Sequence, residues 1–67
     1  MNNQLIIEFY YLALADIRHG ASLIELEEAI QLYEKEENYE ACAGILKAIN
    51  ETKYLTLKDL KNGQRND

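Results

Sequence analysis

Apolar residues recur at helical spacing in three segments of the chain. The first segment, residues 5–17, is apolar or aromatic at eleven of thirteen positions and predicts helix 1 over residues 3–19. The second segment has a stripe at Leu23, Leu26, Ala29, Ile30 and Tyr33. The third has its main stripe at Tyr39, Cys42, Ala43, Leu46 and Ile49, widened by Ala41, Ile45 and Ala48. In a chain without proline, these patterns predict an all-α protein.

Capping signals place the ends of the predicted helices. Gly20 follows helix 1 where a left-handed C-terminal cap is needed. Ser22 and Glu25 have the spacing of a capping box at the start of helix 2. Asn38 is suited to cap helix 3, which follows a tight turn around Glu37. Helices 2 and 3 are therefore predicted to form an antiparallel hairpin, against which the apolar helix 1 packs.

The hairpin prediction includes two packing details. Tyr33 and Tyr39 flank the turn and are expected to pack across it, and the small residues 41–44 would allow another helix to approach closely. The apolar pattern weakens after Thr52. We therefore expect one helical domain over residues 1–55, followed by a polar tail, residues 56–67, with one helical turn at most before a disordered end.

Length and composition limit how so small a chain can be stabilised. The 67 residues include one cysteine and one histidine, so neither an intrachain disulfide nor a usual zinc site is expected. We predict no cofactor, and oligomerisation or a partner protein is the remaining device. The chain has no signal-peptide pattern and no stretch of about 20 apolar residues, which predicts a cytoplasmic protein that does not enter a membrane.

The net charge of −5 is unevenly distributed. Residues 1–52 have ten acids against three bases, a net charge of −7, whereas residues 53–67 have four bases against two acids, a net charge of +2. An acidic body repels phosphates, so we do not expect direct binding of nucleic acid.

Cys42 and His19 are the only candidates for a catalytic pair. A reactive cysteine needs an accessible, electropositive setting, but Cys42 lies among apolar residues beneath an acidic surface. We interpret it as a packed thiol and His19 as a helix-end residue. No group of residues supports an enzyme, and we predict neither a catalytic nor a metal site.

Helix 1 gives the strongest functional signal. A helix that is apolar all round must be covered all round, and a two-helix hairpin covers one side only. One stripe should pack on the hairpin and the other on a second subunit, which favours a homodimer. The predicted self-association residues are Leu5, Ile6, Phe9, Tyr10, Ala13 and Ile17.

The surface of the hairpin is acidic, with seven acids against one lysine between residues 25 and 40. This surface either only keeps the protein solvated or imitates nucleic-acid phosphates and occupies a basic groove on another protein. Tyr11 points about 100° away from Tyr10, and tyrosine is favoured at interfaces. The candidate partner-binding residues are Tyr11, Glu27, Glu34, Glu36 and Glu37.

Residues 26–50, LEEAIQLYEKEENYEACAGILKAIN, contain a recognisable pattern. A helix ends in acids, the turn ENYE follows, and Cys42 and Ala43 come next, with Ile45 and Ile49 at apolar positions. This pattern resembles the UVR motif, a helical hairpin of the excinuclease B and C subunits and of some Clp ATPases and their adaptors. The resemblance implies protein–protein contacts, including pairing with a second copy. The chain departs from the family in having Leu46–Lys47 in place of an Arg–Asp pair, so that polar contact is not carried over.

The sequence therefore favours a small acidic helical protein–protein interaction module, an adaptor or regulator that binds a partner protein and self-associates. The alternative is a phage-type inhibitor that uses its acidic face to block a nucleic-acid-binding protein.

Overall fold

A computed structural model describes the backbone of residues 1–65 and the side chains of residues 1–52. The described residues form three helices, α1 (Asn3–Arg18), α2 (Leu23–Lys35) and α3 (Tyr39–Arg65), which confirms the predicted all-α class. α1 and α2 each pack along α3, and they meet each other through side chains. The backbone N–H of Asn2 donates to the Glu40 carboxylate at 3.2 Å, so α1 and α3 start at the same level and run parallel. The chain is an up–down–up bundle with α3 in the middle.

Capping residues mark both ends of α1 and the start of α2, and two of them, Gly20 and Ser22, were predicted from the sequence. The Asn2 side chain accepts from the backbone N–H groups of Gln4 and Leu5, which starts α1. Gly20 follows the end of α1 with a φ of +95°, a conformation that glycine adopts without steric cost. The Ser22 hydroxyl accepts from the backbone N–H of Glu25 at 3.1 Å and starts α2.

The turn between α2 and α3 lies where the sequence predicted it. Glu37 adopts a φ of +60°, and the next N–H, from Asn38, donates back to the carbonyl of Tyr33 at 2.9 Å. This hydrogen bond caps the C-terminal end of α2, and Glu37 is the left-handed residue that such a cap requires. The Asn38 side chain then accepts from the N–H of Ala41 at 3.3 Å, which caps α3 as predicted.

The predicted core stripe of α3 was wrong for Tyr39 and Leu46, whereas Ile49 and the residues that widen the stripe are buried as predicted. Ala41, Ile45, Ala48 and Ile49 are buried, whereas Tyr39 and Leu46, assigned to the main stripe, are each 50% exposed. Tyr39 and Ala48 are nine residues apart, which is two and a half turns and places them on opposite sides of the helix. The small residues of this side, Ala41 and Ala48, leave room for a close neighbour, and Ile45 and Ile49 fill the core beside them.

Tyr39 consequently does not pack across the turn on Tyr33, which corrects that prediction. The Tyr33 ring instead contacts the edge of Phe9 from α1, with 5.6 Å between ring centroids and planes at 65°. This edge-to-face arrangement is the preferred geometry for two aromatic rings. The contact fixes which side of α1 is turned towards α2.

α1 approaches α3 most closely at Gly44. A Cβ at this position would lie 2.5 Å from the carbonyl oxygen of Ile6, 2.7 Å from the backbone nitrogen of Tyr10 and 2.8 Å from the Cβ of Phe9. The two backbones are therefore in direct contact, as the run of small residues at 41–44 predicted. The main partner of α1 is α3 itself.

α3 is longer than expected. The sequence predicted a domain over residues 1–55 and at most one helical turn in the tail, residues 56–67, but α3 is helical through Arg65. No proline interrupts this segment, and its leucines and lysines favour a helix. The last two residues of the predicted tail lie outside the described residues.

Candidate interaction surfaces

The predicted self-association stripe of α1 mostly faces its own chain. Ala13 is buried in the core, and Tyr10 and Ile17 pack against that core. Phe9 contacts Tyr33, and Ile6 is partly buried where α1 meets Gly44. Five of the six predicted residues therefore already have neighbours within their own chain, and their role in self-association stays a prediction. Leu5 is the member that stays exposed.

Two other strips of α1 are exposed and apolar. Leu5 and Leu12 lie on the side of Phe9, next to α2, and Ile7 and Tyr11 lie on the opposite flank. The packed stripe runs between them. α1 is thus apolar on both sides of its buried face. The rest of the chain does not cover these two strips, as expected for a helix that is apolar all round.

The Tyr10 side chain lies beside the strip of Ile7 and Tyr11 and contacts α3. Its hydroxyl donates to the Glu51 carboxylate, and the Lys47 ammonium lies 4.9 Å from the centre of its ring. The hydrogen bond to Glu51 raises the pKa of Tyr10 above its ordinary value, with a further increase from desolvation. The Tyr11 ring lies against Tyr10 with centroids 5.2 Å apart. The exposed Tyr11 is therefore supported by a fixed aromatic neighbour.

The predicted acidic binding residues are all exposed. Glu27 and Glu34 project from α2, and Glu36 and Glu37 form the turn to α3. Their position at the surface is compatible with a solvated face or with a contact to a basic partner. Tyr11, the fifth predicted residue, lies on the far flank of α1, so these residues do not form one continuous site.

Cys42 and His19 lie at opposite ends of the bundle. The Cys42 thiol donates to the carbonyl oxygen of Ile30 at 3.4 Å, and desolvation, with Glu34 nearby, raises its pKa. Both effects favour the unreactive thiol form. His19 Nδ1 lies 2.8 Å from the carbonyl oxygen of Ala15 at the end of α1. The geometry supports the packed-thiol and helix-end interpretations of these two residues.

A depression of about 440 Å³ lies between the end of α1 and the start of α2. Its walls include Asp16 from α1 and Glu25 and Ala29 from α2. No sequence pattern indicates this depression, because it forms only where two helices that both pack on α3 lie apart. Leu32, an exposed residue of α2 that lies one turn beyond Ala29, was also not predicted. An apolar side chain outside the predicted α2 stripe was the signal in the sequence that could have indicated this exposed residue.

Among residues 1–52, no group of three or more metal-ligating side chains is close enough to hold an ion. No helix in the described part of the chain has both the length and the apolar character needed to cross a membrane. Comparison with protein-family models, curated proteins and solved structures finds no match to the chain.

Proposed function

We propose that this protein is a protein–protein interaction module, an adaptor or regulator that acts by binding and without catalysis of its own. The observation that supports this function best is the exposed strip of Ile7 and Tyr11 on α1. The Tyr11 ring lies against the Tyr10 ring at an angle of 53°. Tyr10 is itself held by Lys47 and Glu51, so the Tyr11 ring is positioned before a partner arrives. Binding to such a prearranged aromatic side chain costs little conformational entropy.

The proposed module also self-associates, with a homodimer favoured, and acts in the cytoplasm. Its exposed leucines on α1 and α2 support self-association, because a domain of this size has little stability to spare for solvated apolar surface. The single cysteine, Cys42, suits a reducing compartment. The acidic body of the chain argues against direct contact with nucleic acid.

Photo-crosslinking in the source cell tests the partner surface. Tyr11 is replaced by a photoreactive phenylalanine analogue, and Gln31, an exposed polar residue on the outer side of α2, receives the same replacement as a control. We expect a defined adduct with a different protein from position 11 and none from position 31. Equal adducts at both positions, or none at position 11, would contradict the proposal.

The acidic face supports a second candidate function, the inhibitor that imitates nucleic-acid phosphates. Glu27, Glu34, Glu36 and Glu37 are exposed on one hairpin. Reversing Glu27 and Glu34 to lysine separates the two functions once a partner is known. An interaction through Tyr11 should be almost unaffected and weakly dependent on salt, whereas phosphate imitation predicts at least about a tenfold loss and a steep salt dependence.

A further inference from the structure

The exposed leucines next to α2 form one surface with α2 itself. Phe9 contacts Tyr33, so this side of α1 faces α2. Leu5 and Leu12 lie one turn before and one turn after Phe9 on the same helical row, and Asp16 continues that row into the depression.

On α2, the row that faces α1 begins with Glu25 and Ala29, which line the same depression. Leu32 is the next residue of this row, three positions after Ala29. We call the surface between the two rows the α1–α2 groove, defined by Leu5, Leu12 and Leu32 with Phe9 and Ala29 between them.

The α1–α2 groove is apolar and open. Leu12 and Leu32 are 60% and 62% exposed, although Phe9 and Tyr33 between the two helices are in contact. Within the described residues, no side chain of the chain itself covers these leucines to the extent expected of a core. The groove therefore has room for another helix, which would bury all three leucines.

The rim of the groove is acidic. The residues three or four positions from its leucines include one base, Lys35, and four acids: Glu8, Asp16, Glu28 and Glu36. Glu25 adds a further carboxylate at the depression. An apolar floor with a negative rim fits a helix that has leucines on one side and lysines beside them.

The chain itself contains such a segment. Residues 53–65 of α3 contain four bases and one acid, and Tyr54, Leu57 and Leu60 recur there at three-residue spacing, next to Lys58 and Lys61. α3 is about 40 Å long and α1 about 24 Å, because each helical residue adds about 1.5 Å. The two helices start at the same level, so α3 extends beyond α1. Residues 39–65 form one continuous helix, so the extension does not fold back beside residues 40–52 of its own chain.

We propose that the extension of α3, residues 53–65, docks in the α1–α2 groove of a second copy of this chain. The exchange is reciprocal: each copy offers one extension and one groove, and a two-fold axis closes the pair. The inference rests on the self-association proposed above and names the surfaces that carry it. Docking would place the basic extension against the acidic rim and cover the three leucines.

Light scattering with the full chain at micromolar concentration tests the inference. The groove variant is Leu12→Glu with Leu32→Glu, and the extension variant is Lys58→Glu with Lys61→Glu. Ile24→Glu is the matched control, because Ile24 is 67% exposed but lies on the outer side of α2, away from the groove. We expect native protein and the control to be dimers, and each double variant to dissociate at least about tenfold more readily.

A charge exchange makes the test specific. Glu8→Lys with Glu28→Lys and Glu36→Lys gives a basic rim, because only Asp16 and Glu25 then remain as acids. This variant alone should dimerise poorly, as should the extension variant alone. A mixture of the two should form a mixed dimer, since each groove then meets an extension of opposite charge. This rescue should weaken as salt is raised from about 50 mM to about 500 mM.

The outcomes separate this inference from the proposed function. Native protein that is monomeric overturns both the docking and the self-association. A dimer that resists both double variants overturns the docking alone and places the interface elsewhere. If the groove variant does not fold, as judged by circular dichroism, the extension variant and the mixed dimer decide.

Discussion

Replacing Gly44 by alanine should separate α1 from α3. The added Cβ would meet the Ile6 carbonyl oxygen at 2.5 Å and the Tyr10 backbone nitrogen at 2.7 Å. Both atoms belong to the backbone of α1, so no side-chain rotation relieves the overlap. Since ordinary contacts begin at about 3.4 Å, α1 must retreat by roughly 0.7–0.9 Å.

The size of the effect follows from two opposing terms. A gap of this width forfeits about a quarter to a half of the dispersion attraction between the contacting atoms, and overpacking of this kind costs typically about 1–3 kcal/mol. Because the overlap is with backbone, we take the upper end. Alanine returns about 1 kcal/mol through its better helix propensity. The expected net loss is about 2 kcal/mol, which for a domain of this size lowers Tm by about 8–16 °C.

Thermal unfolding followed by far-UV circular dichroism, at two protein concentrations, measures this loss. Asn50→Ala is the control, because Asn50 is an exposed residue of α3. This substitution improves the helix propensity by about 0.5 kcal/mol and adds no new contact. The reasoning is refuted if Gly44→Ala matches or exceeds the Tm of native protein. That result would mean that α1 does not pack on α3 at this residue.

Three further outcomes are expected. Glu37→Gly should stabilise the fold by about 0.5–1 kcal/mol, since glycine adopts the φ of +60° without the strain of a side chain; a lower Tm would exclude this turn. Tyr39→Ala should lower the free energy of unfolding by about 1 kcal/mol or less, because Tyr39 is half exposed. Tyr33→Ala should lower it by about 2–3 kcal/mol, because the Tyr33 ring packs on Phe9. Urea unfolding measures both losses, and equal losses would contradict the placement of the rings. The N–H of Asn2 lowers the pKa of Glu40 below its ordinary value of 4.5, so the stability from this bond is present above that pH and is lost as the pH falls through the lowered pKa. The stability difference between native protein and Glu40→Gln should therefore shrink on acidification, and a constant difference would argue against the bond.

Local signals in the sequence determined the secondary structure of residues 1–52. Ser22 and Asn38 cap their helices because short polar side chains satisfy the free N–H groups of a first turn, whatever lies around them. Gly20 and Glu37 adopt positive φ at the two turns. The run of small residues at 41–44 also predicted a close approach of another helix, because only small side chains permit one. The caps and turns depend on neighbours along the chain, so the sequence alone was sufficient for them, whereas the small residues indicated a close approach without naming the helix that makes it.

Tertiary structure decided which apolar face becomes the core. Helix periodicity gives the stripes of α1 and α3 but does not say which of two adjacent stripes a neighbouring helix covers. The close contact at Gly44 selects the alanine-rich side of α3 and leaves Tyr39 and Leu46 exposed, and it turns Ala13 inward on α1. The α1–α2 groove has the same origin, because the leucines on its two sides come together only after both helices have packed on α3.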